Sequence, residues 1–146
     1  MNPLKSAVNV HVALTVGNID KSLSFYRRLF GIEPTRVQPG YAKFDVQDPS
    51  VNLTLNEGVP TGQGALSHLG IQVKSTEDVL SIRRQWQQAG LETRDEMNTD
   101  CCYALQDKAW VRDPDGNEWE VFAVLEDTDT SGPTCCSPRT ALVSIE

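Results

Sequence analysis

The sequence predicts an α+β fold made of two βαβββ modules whose strands form a curled mixed sheet. Three observations carry the prediction. A run of period-2 alternation is followed by one amphipathic run of helical period and then by three further strand-like runs. That order occurs twice in 146 residues. The second copy also repeats the first at a constant offset: His68 follows His11 by 57 residues, and Val16/Val73, Asp20/Glu77, Leu23/Leu80 and Arg27/Arg84 keep the same spacing. One such match is chance, whereas five at one offset mark a duplication.

Module one covers about residues 8–57. Val10, Val12, Leu14 and Val16 alternate with Asn9, His11, Ala13 and Thr15, which makes a strand with one apolar face and His11 on the other. Asn18 or Asp20 can cap the helix that follows. Its apolar stripe is Leu23, Tyr26, Leu29 and Phe30, and Gly31 suits its stop. Strands are expected over Glu33–Val37, Tyr41–Val46 and Val51–Asn56, separated by Pro39-Gly40 and Asp48-Pro49-Ser50. A linker, 58–65, leads to module two, about 66–125. There Leu69, Ile71 and Val73 alternate with His68, Gly70 and Gln72, and Ser75-Thr76-Glu77-Asp78 reads as a helix start. Val79, Ile82, Trp86 and Ala89 form the stripe, and Gly90 ends it. Strands follow over Glu92–Met97, Ala104–Arg112 and Glu118–Leu125, the last two joined by the turn Asp113-Pro114-Asp115-Gly116-Asn117. Residues 1–126 thus read as one domain. Residues 127–146, rich in Asp, Thr, Ser, Gly and Pro, read as a flexible tail carrying Cys135 and Cys136.

The composition, 39% hydrophobic and 23% charged, suits a soluble globular domain. A net charge of −7 and a pI near 4.8 argue against nucleic acid or an anionic membrane as partner. No apolar run reaches the roughly 20 residues of a membrane helix, and the first residues form no apolar signal segment, so a cytoplasmic location is expected. In that compartment cysteines are more often thiols than bridges, and adjacent cysteines bridge only through a strained ring.

His11 and His68 are the only histidines and occupy one position in each copy. A lone histidine on a sheet face is usually a half-exposed side chain. Two at pseudo-symmetric positions can instead aim both imidazoles into one cavity. Glu120 is the natural third ligand, the sole carboxylate within Trp119-Glu120-Val121-Phe122-Ala123-Val124, where an unpaired charge would be costly. Solvent exposure on an edge strand is the plainer alternative. In module one, Leu53 and Leu55 stand where Glu120 would be mirrored, so three protein ligands and open positions are expected. Two histidines and a carboxylate are the set associated with non-haem Fe(II) and oxygen activation, while Zn, Mn, Ni and Co remain open on ligand type. Cys101-Cys102 forms a second constellation in a polar stretch. Adjacent thiolates can chelate a soft centre such as As(III), Sb(III) or Cd²⁺, or can be two ordinary reduced cysteines. Cys135-Cys136 is an auxiliary thiol pair or incidental. Lys108 and Arg112 can balance negative charge near a substrate, with a solvated strand face as the plainer reading; Trp110 and Trp119 read as core, and Asp113–Asn117 as turn chemistry.

The duplicated βαβββ units, a His opening each, and the terminal Asp-Pro-Asp-Gly-Asn-Glu-Trp-Glu resemble the vicinal oxygen chelate superfamily (glyoxalase I, extradiol dioxygenases, fosfomycin-resistance proteins) over residues 8–125. Asn-Thr-Asp-Cys-Cys-Tyr-Ala, followed by Gln-Asp-Lys-Ala-Trp-Val-Arg, is similar to the organoarsenical carbon–arsenic lyases, which are grouped with cadmium-induced proteins. The resemblance implies an Fe(II)- and O₂-dependent enzyme that cleaves trivalent organoarsenicals to inorganic arsenite. It implies His11, His68 and Glu120 as metal ligands and Cys101 and Cys102 as the As(III)-binding thiolates, on a loop that moves between capture and reaction. It assigns no role to Cys135 and Cys136. The alternatives are a glyoxalase-like metalloenzyme, which would need a fourth carboxylate ligand, a non-catalytic cadmium or arsenite binder, and a drug-sequestering protein. Monomer and homodimer are both compatible.

Overall fold

The computed structural model of the chain describes residues 2–127 except 63, 65, 102 and 103. Module one comprises β1 (Val10–Val16), α1 (Ile19–Phe30), β2 (Arg36–Gln38), β3 (Tyr41–Val46) and β4 (Val51–Glu57). Module two comprises β5 (Leu69–Gln72), α2 (Thr76–Gln88), β6 (Arg94–Cys101), β7 (Ala104–Arg112) and β8 (Glu118–Asp127). Each module forms its own four-stranded mixed sheet, ordered β1-β4-β3-β2 and β5-β8-β7-β6. The first and last strands of each module pair in parallel, and the others are antiparallel.

The helices start and stop where local chemistry dictates. Asn18 caps α1, its side chain accepting from Lys21 N at 3.0 Å, and Gly31 ends it in the left-handed region at φ 65°. Ser75 caps α2 by accepting from Asp78 N at 3.2 Å. The α2 stripe is shorter than expected: Val79 and Trp86 are buried, but Ala89 is the exposed C-cap. Strand β2 is also short. Pro34 has no N–H to donate, so the ladder starts beyond it.

One face of each sheet turns to the helices. In module one Val12 and Leu14 lie in register with Leu53 and Leu55, and these with Phe44 and Ala42 of β3; together with Val16 they pack under α1. In module two Ala109, Val111, Trp119, Val121 and Ala123 do the same under α2. The two layers share one core. Phe30 packs edge-on to Trp119 at 5.8 Å, and the Trp86 indole N–H donates to Leu29 O at 2.9 Å.

The turn at 113–117 locks the modules together. Asp113 Oδ1 accepts from the backbone of Asp115 and Asn117, and its Oδ2 accepts from the buried Tyr26 hydroxyl at 2.6 Å. Asp115 Oδ1 accepts from Gly17 N at 2.9 Å. The Trp119 indole N–H donates to the Tyr26 oxygen at 3.2 Å. Burial, and then the neighbouring Asp113 charge, push the Tyr26 phenol far above its ordinary pKa, so it remains a neutral donor.

Candidate metal centre

By strand alternation, the opposite face of each sheet carries the histidines. In module two His68 directly precedes β5, and Glu120 lies on β8 between β5 and β7. Glu120 is therefore an interior residue, 5% exposed, rather than a solvent-facing side chain on an edge. Its Oε1 stands 3.4 Å from His68 Nε2. Two donors each about 2.1 Å from one cation stand about 3.0–3.4 Å apart, depending on the angle they subtend, so this pair fits as two ligands of one ion. Gly70 makes room for it. Gly70 is the register partner of Glu120, and a Cβ there would come within 3.0 Å of Glu120 Cγ and 3.1 Å of its Oε1.

The other carboxylate oxygen is taken. Lys108 Nζ lies 3.0 Å from Glu120 Oε2 and is 2% exposed, so Lys108 belongs to a buried ion pair and not to a solvated strand face. Its ammonium also sits over the rings of Trp110 and Phe122. Trp110 meets His68 edge-on at 5.2 Å. It is thus a wall of this face and not part of the helical core, unlike Trp119. Its indole N–H is buried with no acceptor among the described residues. Arg112 is more exposed and pairs with Glu118.

In module one the face carries a row across three strands. His11, Asn52 and Asp45 are register partners on β1, β4 and β3. Asn52 Oδ1 lies 2.8 Å from His11 Nδ1, and Asn52 Nδ2 donates to Asp45 Oδ1. Asp45 is held below the usual carboxylate range: partial desolvation raises it, but hydrogen bonds from Asn52 and Thr35 and the Lys43 charge outweigh that. With Asn52 Oδ1 accepting, His11 Nδ1 is the donor, and Nε2 is the nitrogen turned away from Asn52. His68 Nδ1 lies 2.9 Å from Ser67 Oγ, a hydroxyl able to donate or accept, and its Nε2 is toward Glu120. Such outer partners fix the tautomer of a metal-binding imidazole.

The register revises the pseudo-symmetric counterpart of Glu120. Gly70 pairs with Glu120 and Ala13 with Thr54, each two residues past its histidine. The counterpart is therefore Thr54, not Leu53 or Leu55, which face the core. The conclusion that module one supplies no carboxylate there stands.

The structure brings His68 and Glu120 together and leaves His11 exposed on β1. Among the described residues, no three His, Cys, Asp or Glu side chains gather closely enough to hold a metal ion. Cys101 ends β6, in register with Ala104, and Cys102 lies outside the described residues, as do Cys135 and Cys136. Asn52, Asp45, Gly70 and Trp110 were not singled out from sequence as site residues. Their roles depend on cross-strand register.

A fold of paired βαβββ modules with an imidazole–carboxylate pair on the open sheet face defines a class that includes metal-dependent enzymes. The chain belongs to the Glyoxalase/Bleomycin resistance protein/Dioxygenase superfamily, whose model matches residues 9–121. Within it, the chain is 48% identical over 130 residues to the trivalent organoarsenical cleaving enzyme of Bacillus sp. strain MD1, covering 86% of this chain and 81% of that protein. It is 45% identical over 123 residues to the cadmium-induced protein CadI of Mycobacterium bovis, covering 84% and 80%. The solved glyoxalase/bleomycin resistance protein/dioxygenase from Alicyclobacillus acidocaldarius has the same fold, with a TM-score of 0.64 at 16% identity over 81% of this chain and 92% of that one. No helix among the described residues is long and apolar enough to cross a membrane.

Proposed function

We propose that this protein cleaves the carbon–arsenic bond of trivalent organoarsenicals, using Fe(II) held by His11, His68 and Glu120 and O₂ as co-substrate. The observation that carries the reading is the 48% identity, over most of both chains, to an enzyme named for that reaction. The His68–Glu120 pair supports it, because a donor set of imidazole and carboxylate suits a redox-active divalent ion. Bound Fe(II) would supply the activation of O₂. For methylarsenite, CH₃As(OH)₂ and O₂ balance to formaldehyde and As(OH)₃.

The chain's own residues do the rest. The Cys101 and Cys102 thiols displace the two hydroxyls of R–As(OH)₂ as water, which forms two sulfur–arsenic bonds and leaves R attached. Pentavalent arsenicals lack this exchange and are not substrates. Lys108 holds Glu120 Oε2, so Oε1 remains for the metal. Trp110 and Phe122 wall the site against water. Cys101 pairs with Ala104, six residues along β7 from Trp110, which is the register partner of Glu120. At about 3.4 Å per residue that is roughly 20 Å. The thiol pair therefore captures the arsenical on a loop that moves toward the metal for reaction.

The test is to load the protein with Fe(II) anaerobically, add methylarsenite, admit air and speciate the arsenic. O₂-dependent release of inorganic arsenite, abolished by His68→Ala and by Cys101→Ser, is expected. Full activity in Cys102→Ser would refute two-thiol capture. The relative named cadmium-induced protein favours a second reading, in which the thiols only sequester Cd²⁺ or arsenite. Tight binding with unchanged speciation would favour that one.

A further inference from the structure

We infer that Asp45 is a positioning residue for the metal centre: acting through Asn52, it holds the proton of His11 on Nδ1 and keeps Nε2 bare for the metal. The inference rests on His11 as a metal ligand but not on the arsenical substrate. A neutral imidazole carries its proton on either nitrogen, and only the bare nitrogen can bind a cation. In water the Nε2–H form is the more populated one. For Nε2 to serve, the protein has to select the other form.

The selection is made two side chains away. His11, Asn52 and Asp45 are register partners on three neighbouring strands, so they form one row across the open face. Asp45 ends the row. Its Oδ2 accepts from Thr35 Oγ1 at 3.2 Å and lies 3.6 Å from Lys43 Nζ. Asp45 is held below the usual carboxylate range, and an ionised carboxylate accepts but never donates. The Asn52 amide therefore has to turn its NH₂ to Asp45 Oδ1. Its carbonyl then points the other way, and Asn52 Oδ1 lies 2.8 Å from His11 Nδ1. A carbonyl only accepts, so Nδ1 is the donor. Without the Asp45 carboxylate the amide is free to flip. It would then offer an N–H to Nδ1, and the proton of His11 would move to Nε2.

Module two is built differently. By register, Glu118 and Arg112 stand where Asn52 and Asp45 stand in module one. Arg112 holds Glu118 at 2.5 Å, and His68 Nδ1 instead meets the Ser67 hydroxyl, which can donate or accept. His68 thus has a permissive partner and His11 a selective one. The difference suits their surroundings. His68 already has Glu120 Oε1 3.4 Å from Nε2 to help gather a cation, whereas His11 is exposed on β1.

The test reads the tautomer directly. Metal-free full-length protein labelled with ¹⁵N-histidine is examined by long-range ¹H–¹⁵N correlation at about pH 8.5, well above the ordinary histidine pKa of about 6.5. The protonated and bare nitrogens of a neutral imidazole resonate far apart, and a His68→Ala sample assigns the two rings. His11 is expected as Nδ1–H in the wild type and in Thr35→Val, and largely as Nε2–H in Asp45→Ala, with His68 unchanged. Mn²⁺ binding, read from the EPR signal of the free ion, should weaken about 10–100-fold in Asp45→Ala, the usual cost of losing an outer partner of a ligand. Exchanging the two groups, Asn52→Asp with Asp45→Asn, keeps an acceptor on His11 Nδ1, because the carboxylate at position 52 receives the amide at position 45. The exchange should restore both the Nδ1–H signal and Mn²⁺ binding, which repair of packing alone would not do. His11 remaining Nδ1–H in Asp45→Ala would overturn the inference, as would a folded exchanged protein whose His11 stays Nε2–H. A tautomer that moves as expected while Mn²⁺ binding stays at the wild-type level would instead remove His11 from the ligand set. That is a failure of the ligand reading, and it leaves the selection by Asp45 standing.

Discussion

An ammonium and a carboxylate share the interior beside His68, and removing either alone strands a charge. Lys108 is 2% exposed and Glu120 5%. Breaking a buried pair by deleting one partner typically costs about 3–5 kcal/mol, whereas replacing both groups is far milder. Lys108→Met is therefore expected to destabilise the metal-free protein by roughly that amount, and Lys108→Met/Glu120→Gln by much less. A divalent cation beside Glu120 would substitute for the lost ammonium, so saturating Mn²⁺ should raise the melting temperature of Lys108→Met more than that of the wild type. Thermal unfolding of the three proteins with and without Mn²⁺ decides it, and equal losses in the single and double variants would sink the coupling. At this scale the sequence is uneven. Glu120 is legible because a lone carboxylate in an apolar strand demands an explanation. Lys108 is not, because a strand lysine usually reaches water and only the neighbouring β8 reveals its partner. Asn52, Asp45 and Gly70 are hidden for the same reason: each acts on a residue far away in sequence, through a register the alternation pattern does not specify.

Elements were legible where alternation was clean and illegible where hydrogen bonding overrode it. Tyr41–Val46 and Ala104–Arg112 form as the pattern indicates. The strand expected to end at Met97 instead runs to Cys101 through a bulge, with the register shifting between Glu96 and Thr99. The polar run Asn98-Thr99-Asp100 carries no apolar signal. The bulge is held from the next strand, where Asp107 Oδ1 accepts from Asn98 N at 2.6 Å and its Oδ2 accepts from Thr76 Oγ1 at 2.5 Å. Asn98 sits at φ 52°, the left-handed region that Asn and Gly tolerate and β-branched residues resist. Asn98→Gly should thus be near neutral, and Asn98→Val should cost about 1–2 kcal/mol in urea unfolding. If the two variants unfold alike, the bulge is not the working conformation of the thiol-bearing hairpin.

For the molecule as a whole, the two modules act as one cooperative unit because their helical layers share a core and the 113–117 turn is clasped by Tyr26. In sequence the terminal motif reads as turn chemistry and as a mark of the superfamily. Its docking role needed the tertiary pairing of Asp113 and Asp115 with residues about ninety positions away. This clasp has a pH signature. In the unfolded chain the Tyr26 phenol ionises near its ordinary value of 10.0, while in the folded chain burial and Asp113 keep it protonated well beyond that. Below pH 10 both states hold the proton, and the phenol adds no pH dependence. Above pH 10 the folded state binds one more proton than the unfolded state, so stability falls as pH rises. The slope from this single group is about 1.4 kcal/mol per pH unit, set against a total stability of about 5–15 kcal/mol for a domain of ordinary size. Tyr26→Phe loses the hydrogen bond to Asp113 and should be about 1–3 kcal/mol less stable at pH 8. It should also lose stability less steeply above pH 10, so the two curves converge on alkalinisation. Urea unfolding at pH 8, 10, 10.5 and 11 measures the gap. A gap that stays constant across that range would mean that the Tyr26 phenol ionises freely in the folded protein and that the clasp between the modules is open.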